Sequence, residues 1–268
     1  MMDAPRSVEP MIKVLRAMGQ YRHDPAEVLK DFIDYGVGGL LVHGDPELAE
    51  KLKTRYGKEY GQLRELMVAW IGILDREVSD DISWFDALGT IYEYLASQSK
   101  RSWMGQFFTP PDLCDLMTQI TIQVDGKGFR VNDPAAGSGR MLLSVHTRHP
   151  GNYMYGEDLD PICAKMCALN LAMHGAQGQV NCLDSLRLDG WRFGYELNPY
   201  HRLGGPPVPH LLPLREAQCV TLAQWRDRKE PAEKPRPVPV PAPRPEPAVL
   251  ASPAEVVPAT KPVQLSLF

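Results

Sequence analysis

Apolar residues recur every three or four positions through residues 1–100, which is the spacing of amphipathic helices. Two Asp-Pro pairs, beginning at Asp24 and Asp45, each place a capping aspartate before a first-turn proline and so predict helix starts. We interpret this region as a helical bundle, either a structural cap or a functional unit. The predicted helices span residues 11–18, 26–35 (ended by glycines 36–39), 47–76 (with breaks near Gly57 and Gly61) and 83–96.

After Gly105 the pattern changes to short apolar runs that alternate with helical segments. Such alternation indicates βαβ units and a parallel sheet, so we predict an α/β fold. Beyond Gly204 the pattern fades into loop, with a weak helix predicted at 214–228. The predicted strands are 128–132, 153–155 and 179–182, and the predicted helices are 110–120, 141–146 and 161–174.

Composition separates a tail from this body. The chain has 268 residues and 25 prolines, of which eleven lie between Pro231 and Pro262. Proline alternating there with Val, Ala, Arg and Glu favours extended polyproline II and cannot bury a core. We therefore predict a helical domain over 1–100, an α/β domain over 101–228 and a disordered tail over 229–268.

Several function classes are disfavoured. The sequence contains no run of about eighteen apolar residues, so no membrane helix is predicted. Asp3 and Glu9 interrupt the apolar run that an N-terminal signal segment would need. The five cysteines are read as reduced thiols in a cytoplasmic protein. Cys163 and Cys167 lack a second Cys or His pair at metal spacing, so no metal site is predicted. A net charge of −4 argues against a chain coated with basic residues, although it allows a local basic surface.

The strongest local signal is Asp133-Pro-Ala-Ala-Gly-Ser-Gly139, between a predicted strand and a predicted helix. Gly137 and Gly139 allow backbone amides to approach a ligand, and the helix N-terminus favours an anionic group. No Lys-Ser/Thr follows, as a P-loop requires, and Leu142 stands where a dinucleotide fingerprint has its third glycine. The next strand ends in the acidic run 156–160, where a carboxylate can hold ribose hydroxyls. The glycine-rich segment and the acidic run together indicate a nucleoside ligand, and the alternative is that the glycine-rich segment is a plain turn.

Five segments between residues 85 and 190 match, in order, the motifs of one enzyme family. Residues 133–139 match D-P-A-C-G-S-G, and residues 105–110 match G-Q-F-[FY]-T-P. The other matches are 86–95 (D-x-L-G-x-x-Y-E-Y-L), 156–175 (G-x-E-[IL]-[ND]-P, then N-L-x-x-H-G) and 182–186 (G-D-S-L). Together they resemble N6-adenine DNA methyltransferases, in particular the modification subunits of type I restriction systems. The resemblance implies a Rossmann-like fold that uses S-adenosylmethionine.

The resemblance also implies residue roles. The implied cofactor-binding residues are Phe107, Thr109, Pro110, Asp133, Ala135, Gly137, Gly139, Asp158 and Asp184. The first three would line the pocket, the next four would wrap the methionine half, Asp158 would hold the ribose, and Asp184 would accept a hydrogen bond from the cofactor's adenine amine. The implied reaction is direct methyl transfer from a sulfonium to the N6 amine of an adenine that has left the duplex stack.

The family's catalytic motif, N-P-P-[FY] at the end of the fourth strand, is altered here. Its nearest match is Asn198-Pro199-Tyr200, one proline short. By resemblance Asn198 would accept from the target amine, Pro199 would present its carbonyl and Tyr200 would stack on the base. About an ångström of misplacement can cost a hundredfold in rate, and a simple turn is the alternative.

Little regular pattern follows this motif. The sheet either stops at four strands or is completed by another chain. Recognition of a DNA sequence has no obvious place in this chain, which implies a specificity subunit as a partner.

The last five residues, Gln264-Leu-Ser-Leu-Phe268, form a third signal. They resemble the Q-L-[SD]-L-F peptide that docks bacterial polymerases and repair proteins on the sliding clamp. Gln264 would make hydrogen bonds, and Leu265, Leu267 and Phe268 would be apolar anchors. The alternative is an apolar terminus packed on the body.

We therefore predict a DNA adenine-N6 methyltransferase that uses S-adenosylmethionine and is tethered to the sliding clamp. The first alternative is a degenerate methyltransferase that acts as a cofactor- or DNA-binding module docked on the clamp. A second is methylation of protein glutamine, which shares N-P-P-Y chemistry. The segment 105–110 argues against it.

Overall fold

The computed structural model of the protein describes residues 4–19, 23–98, 107–122, 126–229 and 264–266. Its first part is a helical bundle whose predicted caps are confirmed: Asp24 accepts a hydrogen bond from the N–H of Ala26, and Asp45 from that of Leu48. A 3-10 turn at Gly57–Tyr60 makes the predicted break between the third and fourth helices. The bundle comprises α1 (Glu9–Gly19), α2 (Pro25–Leu40), α3 (Pro46–Tyr56), α4 (Gly61–Glu77) and α5 (Ala87–Gln98).

Helix α2 continues through the glycines that were predicted to end it, so that prediction is wrong. Gly36 faces Leu169 on a later helix, and a Cβ on Gly36 would lie 3.2 Å from the Leu169 Cδ1. The glycine therefore serves close packing between two helices, and its backbone stays helical.

Three parallel strands form the centre of the α/β part, as predicted. Strand β1 pairs with β2, with Asp133 opposite Gly156, and β2 pairs with β3, with Asp158 opposite Cys182. Helices α7 and α8 contact each other and the strands they connect. The elements are α6 (Pro111–Thr121), β1 (Arg130–Asp133), α7 (Arg140–Arg148), β2 (Tyr153–Asp158), α8 (Pro161–Met173) and β3 (Gln177–Asp184).

After β3 the chain leaves the doubly wound order. Strand β4 (Asp189–Leu197) runs antiparallel to β3, with Leu197 opposite Gly178, and β5 (Leu211–Leu214) runs antiparallel to β4. Only residues 185–188 connect β3 to β4, whereas a parallel crossover needs a dozen or more. The sheet order is β5-β4-β3-β2-β1-β6, so the expectation of four strands is wrong.

Strand β6 (Gln264–Ser266) comes from the C-terminal peptide. It lies parallel to β1, with Leu265 opposite Val131. Without it, β1 would present an edge of unpaired backbone groups. The backbone of these three residues is therefore paired with the sheet, and docking on a clamp stays a prediction. The predicted polyproline II segment, Leu267 and Phe268 lie outside the described residues.

One continuous cluster of buried side chains joins the bundle to the sheet. Phe32 and Trp70 meet edge to face in the bundle, with ring centroids 6.1 Å apart. Helix α9 (Val220–Lys229) follows β5, and its Leu222 packs with Cys219 and Leu183 in a smaller cluster. All five cysteines are buried. Within the described ranges, no helix combines the length and the apolar character needed to cross a bilayer.

Candidate functional site

A cavity of about 530 Å³ opens at the carboxyl ends of β1 and β2. The glycine loop after β1 forms one wall, and the segment before α6 forms the other. The volume falls in the range of small-molecule sites, roughly 300–1,000 Å³, and open α/β sheets bind ligands at this end. The lining residues are Phe107, Phe108, Thr109, Asp133, Ala135, Ala136, Gly137, Ser138, Arg140, Met141 and Asp158.

The two loop glycines serve different contacts. Both adopt left-handed backbone conformations, with φ of 54° at Gly137 and 92° at Gly139. A Cβ on Gly137 would lie 2.8 Å from the Phe108 ring, and one on Gly139 would lie 3.0 Å from the Cys167 sulfur. Gly137 therefore lets the loop pass beneath the opposite wall of the cavity, whereas Gly139 lets α7 begin against α8.

Two carboxylates form the acidic floor of the cavity. Burial raises the pKa of Asp133 to about 6, the N–H of Ala135 that bonds its Oδ1 at 3.0 Å lowers it in part, and the Asp158 charge raises it further. Burial also raises the pKa of Asp158, although its oxygens accept 2.8 Å hydrogen bonds from the N–H groups of Gly137 and Asp160. Each oxygen keeps a second lone pair for a ligand. The floor suits a cation and hydroxyl donors.

Arg140, the first residue of α7, connects the cavity to the helical bundle. Its Nε donates to Asp86 Oδ2 at 2.7 Å, and its Nη2 donates to Glu93 Oε2 at 2.8 Å. Its Nη1 donates to the Thr109 carbonyl at 3.3 Å, and its guanidinium carbon lies 5.3 Å from the Phe108 ring centroid. Glu93 Oε1 accepts from the N–H of Phe108 at 2.9 Å. The segment before α6 is thus held by both Arg140 and Glu93.

Asp86 is the centre of the same network. Its Oδ1 accepts from the N–H of Gly89 at 2.7 Å, at the start of α5, and from Asn170 Nδ2 at 2.7 Å. Its Oδ2 accepts from Ser138 Oγ at 2.6 Å, in the glycine loop. The segment 86–95, which sequence had matched to a family motif without giving it a role, therefore joins the bundle to the loop.

A larger cavity of about 930 Å³ lies between α4 and the ends of α7 and α8. Burial lowers the pKa of His146 and His174 beside it. His174 Nδ1 lies 2.7 Å from the carbonyl of Asn170 and so donates to it, while its Nε2 accepts from the N–H of Phe85 at 3.3 Å. His174 thus fastens the loop before α5 to the end of α8. The smaller cavity carries the matched motif and is the better candidate site.

The structure brings six of the nine predicted cofactor-binding residues to the smaller cavity: Phe107, Thr109, Asp133, Ala135, Gly137 and Asp158. Pro110 caps α6, and Gly139 caps α7. Asp184 lies at the same end of the sheet, but its Oδ1 accepts from the N–H groups of Leu186 and Arg187 at 3.1 and 3.0 Å. The structure places these three residues outside the cavity lining.

The predicted catalytic asparagine lies at the other end of the sheet. Because β4 is antiparallel, Leu197 reaches the amino end of β3. Leu197 lies opposite Gly178, which pairs with Met154, four residue steps along β2 from Asp158, or roughly 13 Å. Asn198 is fully buried. Its Nδ2 donates to the carbonyls of Ala172 and Ala176 at 3.0 and 2.8 Å, and its Oδ1 accepts from the N–H of His210 at 2.9 Å.

The rest of the motif forms a surface turn. Pro199 begins a 3-10 segment that ends at Leu203. The Tyr200 ring stacks on the His210 ring with centroids 4.9 Å apart, and the backbone N–H of Tyr200 donates to His210 Nε2 at 3.0 Å. Asn198, Pro199 and Tyr200 therefore lie outside the cavity lining, at a turn, and their catalytic role stays a prediction.

Sequence reasoning missed several residues of the site. Phe108, Ala136, Ser138, Arg140 and Met141 line the cavity without having been predicted, and Asp86, Glu93 and Asn170 support it. One available signal was a polar residue in the apolar second half of a helix, as at Asn170 in α8. Another was Asp86 just before α5, because aspartate is a preferred helix N-cap residue.

The N-6 DNA Methylase family model matches residues 84–198. A type I restriction enzyme methylase subunit (HindI) of Haemophilus influenzae is 36% identical over 102 residues, 34% of this chain and 22% of its own length. A Methanocaldococcus jannaschii subunit (MjaIX) is 31% identical over 114 residues, 39% and 20% of the two chains. This chain thus spans about a fifth of the length of these curated relatives.

Among solved structures, the type I restriction-modification methyltransferase subunit of Streptococcus thermophilus is 29% identical to this chain. The match covers 45% of this chain and 26% of that one, with a TM-score of 0.31. The family match begins just before Asp86, includes the glycine loop and ends at Asn198, ahead of Pro199 and Tyr200. Over residues 84–198 it confirms the resemblance to N6-adenine DNA methyltransferases.

Proposed function

We propose that the cavity at the carboxyl ends of β1 and β2 binds S-adenosylmethionine and that the protein acts in methylation of adenine N6 in DNA. The observation that carries the proposal is the cavity itself, in which a glycine loop and two aspartates lie within the segment matched by the N-6 DNA Methylase family. DNA is then the methyl acceptor, and a specificity subunit is the proposed source of sequence recognition.

The residues present suit this cofactor. Asp158 has lone pairs left for the ribose hydroxyls, and the Asp133 carboxylate favours a nearby cation such as a sulfonium. Phe107, 88% exposed, offers an aromatic ring at the cavity rim. When bound, the cofactor supplies a methyl group on sulfur that an amine nitrogen can attack directly.

Two measurements test the proposal. Isothermal titration should show one S-adenosylmethionine site, and Asp158→Ala should weaken it about tenfold or more because the ribose loses an acceptor. Incubation with tritiated cofactor and unmethylated DNA should label the DNA. Absence of binding to the unmodified chain would contradict the cofactor site, and absence of label with binding intact would contradict catalysis by this chain alone.

A second candidate is a cofactor-binding module without transfer activity. The observation that favours it is the position of Asn198, whose side chain bonds backbone groups at the amino end of the sheet. Inserting a proline after Pro199 restores the N-P-P-Y sequence but leaves it at this end. The insertion should therefore produce no methyl transfer in a chain that had none, and transfer gained would show that the motif can reach the cofactor.

The terminal peptide is the proposed docking element for a bacterial sliding clamp. In the protein alone, Gln264–Ser266 pairs with β1, so docking would require release of β6. Deleting Gln264–Phe268 should abolish retention on immobilised clamp and leave the S-adenosylmethionine Kd unchanged. Undiminished retention would rule out this role for the peptide.

A further inference from the structure

The two walls of the proposed cofactor cavity meet a single buried charge network. Asp86 and Arg140 side chains are 1% and 6% exposed, and Glu93, 28% exposed, completes the network. Asp86 belongs to the helical part of the chain, and Arg140 to the α/β part. The network therefore crosses the junction between the two parts at the cavity.

The glycine-loop wall is held by Asp86 and Asn170. Ser138 Oγ donates to Asp86 at 2.6 Å, and the Ser138 carbonyl accepts from Asn170 Nδ2 at 2.9 Å. The hydroxyl and the carbonyl of this loop residue are thereby fixed from outside the loop.

The opposite wall is held by Arg140 and Glu93. The N–H of Phe108 donates to Glu93 at 2.9 Å, and the Thr109 carbonyl accepts from Arg140 at 3.3 Å. These two backbone bonds fix the segment before α6. Arg140 also bonds Asp86, so both walls share one guanidinium.

Helix capping alone does not explain the network. A capping aspartate needs only the bond to Gly89, whereas Asp86 accepts three further hydrogen bonds, from Ser138, Arg140 and Asn170. A buried ion pair is also weak evidence of added stability, because apolar residues often serve stability as well. The planar guanidinium of Arg140, which makes several hydrogen bonds at once, instead fixes the positions of the groups around it.

We infer that Asp86, Glu93 and Arg140 are positioning residues that set the distance between the two walls of the cavity. The inference rests on the proposed function, since it assigns these residues to the S-adenosylmethionine site. The helical bundle then acts on that site through α5, a role that a purely structural cap does not have.

Glu93→Ala is the most informative variant, because it leaves Arg140 paired with Asp86 and buries no unpaired charge. Two effects are expected. The amide of Phe108, which donates to Glu93, should exchange hydrogen about tenfold faster in the cofactor-free protein. The S-adenosylmethionine Kd should rise about tenfold. Arg140→Lys, which keeps the charge but loses the planar fork, should also raise the Kd.

Asp115→Ala is the matched control. Asp115 likewise bonds an arginine, Arg148, at 2.9 Å, together with Ser144 and Trp84, and it lies outside the cavity lining. Its removal should lower the Tm as much as Glu93→Ala does while leaving the Kd and the exchange at Phe108 unchanged. A role in stability alone would instead make the Kd follow the Tm in both variants.

The outcomes separate the two claims. If the unmodified chain binds S-adenosylmethionine and Glu93→Ala changes neither the Kd nor the exchange at Phe108, the positioning role is overturned and the proposed function stands. If the unmodified chain does not bind the cofactor, the proposed function fails. In that case faster exchange in Glu93→Ala, and not in Asp115→Ala, still supports control of the wall by the network.

Discussion

The two ends of the central sheet use polar residues in opposite ways. At the carboxyl ends of β1 and β2, Asp133 and Asp158 border a cavity and keep raised pKa values. At the amino end of β3, all three side-chain hydrogen bonds of Asn198 go to backbone groups. The first arrangement leaves capacity for a ligand, and the second joins loops. A short motif therefore has its family role only if the topology brings it to the site.

Connection length explains this difference. The residues between β1 and β2 and between β2 and β3 include a helix in each case, so these strands are parallel and their ends meet at one edge. The four-residue link at 185–188 reverses the chain direction. Asn198 is thereby carried away from the cavity by the same strand that was expected to deliver it.

The largest effect is expected from Gly137→Ala. The new Cβ would lie 2.8 Å from the Phe108 ring at a φ of +54°, so the wall of the cavity must shift. We expect a loss of cofactor affinity of about a hundredfold, or about 2.7 kcal/mol, measured by titration calorimetry. Gly204→Ala is the control, since Gly204 has a φ of +73° with no atom within 4 Å of the new Cβ. Equal losses in both variants would mean that backbone strain alone is responsible.

Asn198→Ala should distinguish most clearly between a role in stability at the amino end of the sheet and a role in cofactor binding at the carboxyl end. It leaves two buried carbonyls and one N–H without their side-chain bonds, and we expect a loss of about 2–3 kcal/mol in the free energy of unfolding. The S-adenosylmethionine Kd should stay within about twofold, because the site lies at the other end of the sheet. Denaturant titration and calorimetry measure the two quantities. If Asn198→Ala folds and binds the cofactor but loses methyl transfer, that result would support a catalytic role for Asn198.

A pH effect of about tenfold is expected at the carboxyl end. Since burial raises the pKa of Asp133 to about 6, its charge is lost as the pH falls through 6. At pH 5 about nine tenths of Asp133 is protonated, so a cationic cofactor should bind about tenfold more weakly than at pH 7.5. S-adenosylhomocysteine, which lacks the sulfonium charge, should change less, and Asp133→Asn should remove the difference between the two ligands. Parallel pH profiles for both ligands would contradict this.

The smallest effect is expected from Tyr200→Ala. Tyr200 is 41% exposed and stacks on His210. Its removal should cost less than about 1 kcal/mol in stability, as for most surface substitutions, and should not change cofactor binding. A base-stacking residue would instead show reduced DNA methylation or DNA affinity in gel-shift assays.

Local signals predicted much of the fold. Asp24 and Asp45 begin their helices through bonds within three residues, and the three parallel strands follow from short apolar runs separated by helices. The glycine loop was recognisable because Gly137 and Gly139 lie between a predicted strand and a predicted helix, and both adopt left-handed conformations in the structure. These features depend on neighbouring residues and so appear in the sequence.

Other features depend on contacts between distant parts of the chain. Arg140 lies 54 residues from Asp86 and 47 from Glu93, and no local spacing indicates that they meet. The pairing of β6 with β1 is equally remote. The antiparallel direction of β4 is different, because it follows from a local feature: only residues 185–188 separate β3 from β4, too few for a parallel crossover.

The most direct test of the separation between the two ends is hydrogen exchange across the chain with and without S-adenosylmethionine. Protection on binding should appear at residues 107–109 and 133–141 and be absent at residues 198–203. Protection at 198–203, or no protection at either end, would contradict a cofactor site that is confined to the carboxyl end of the sheet.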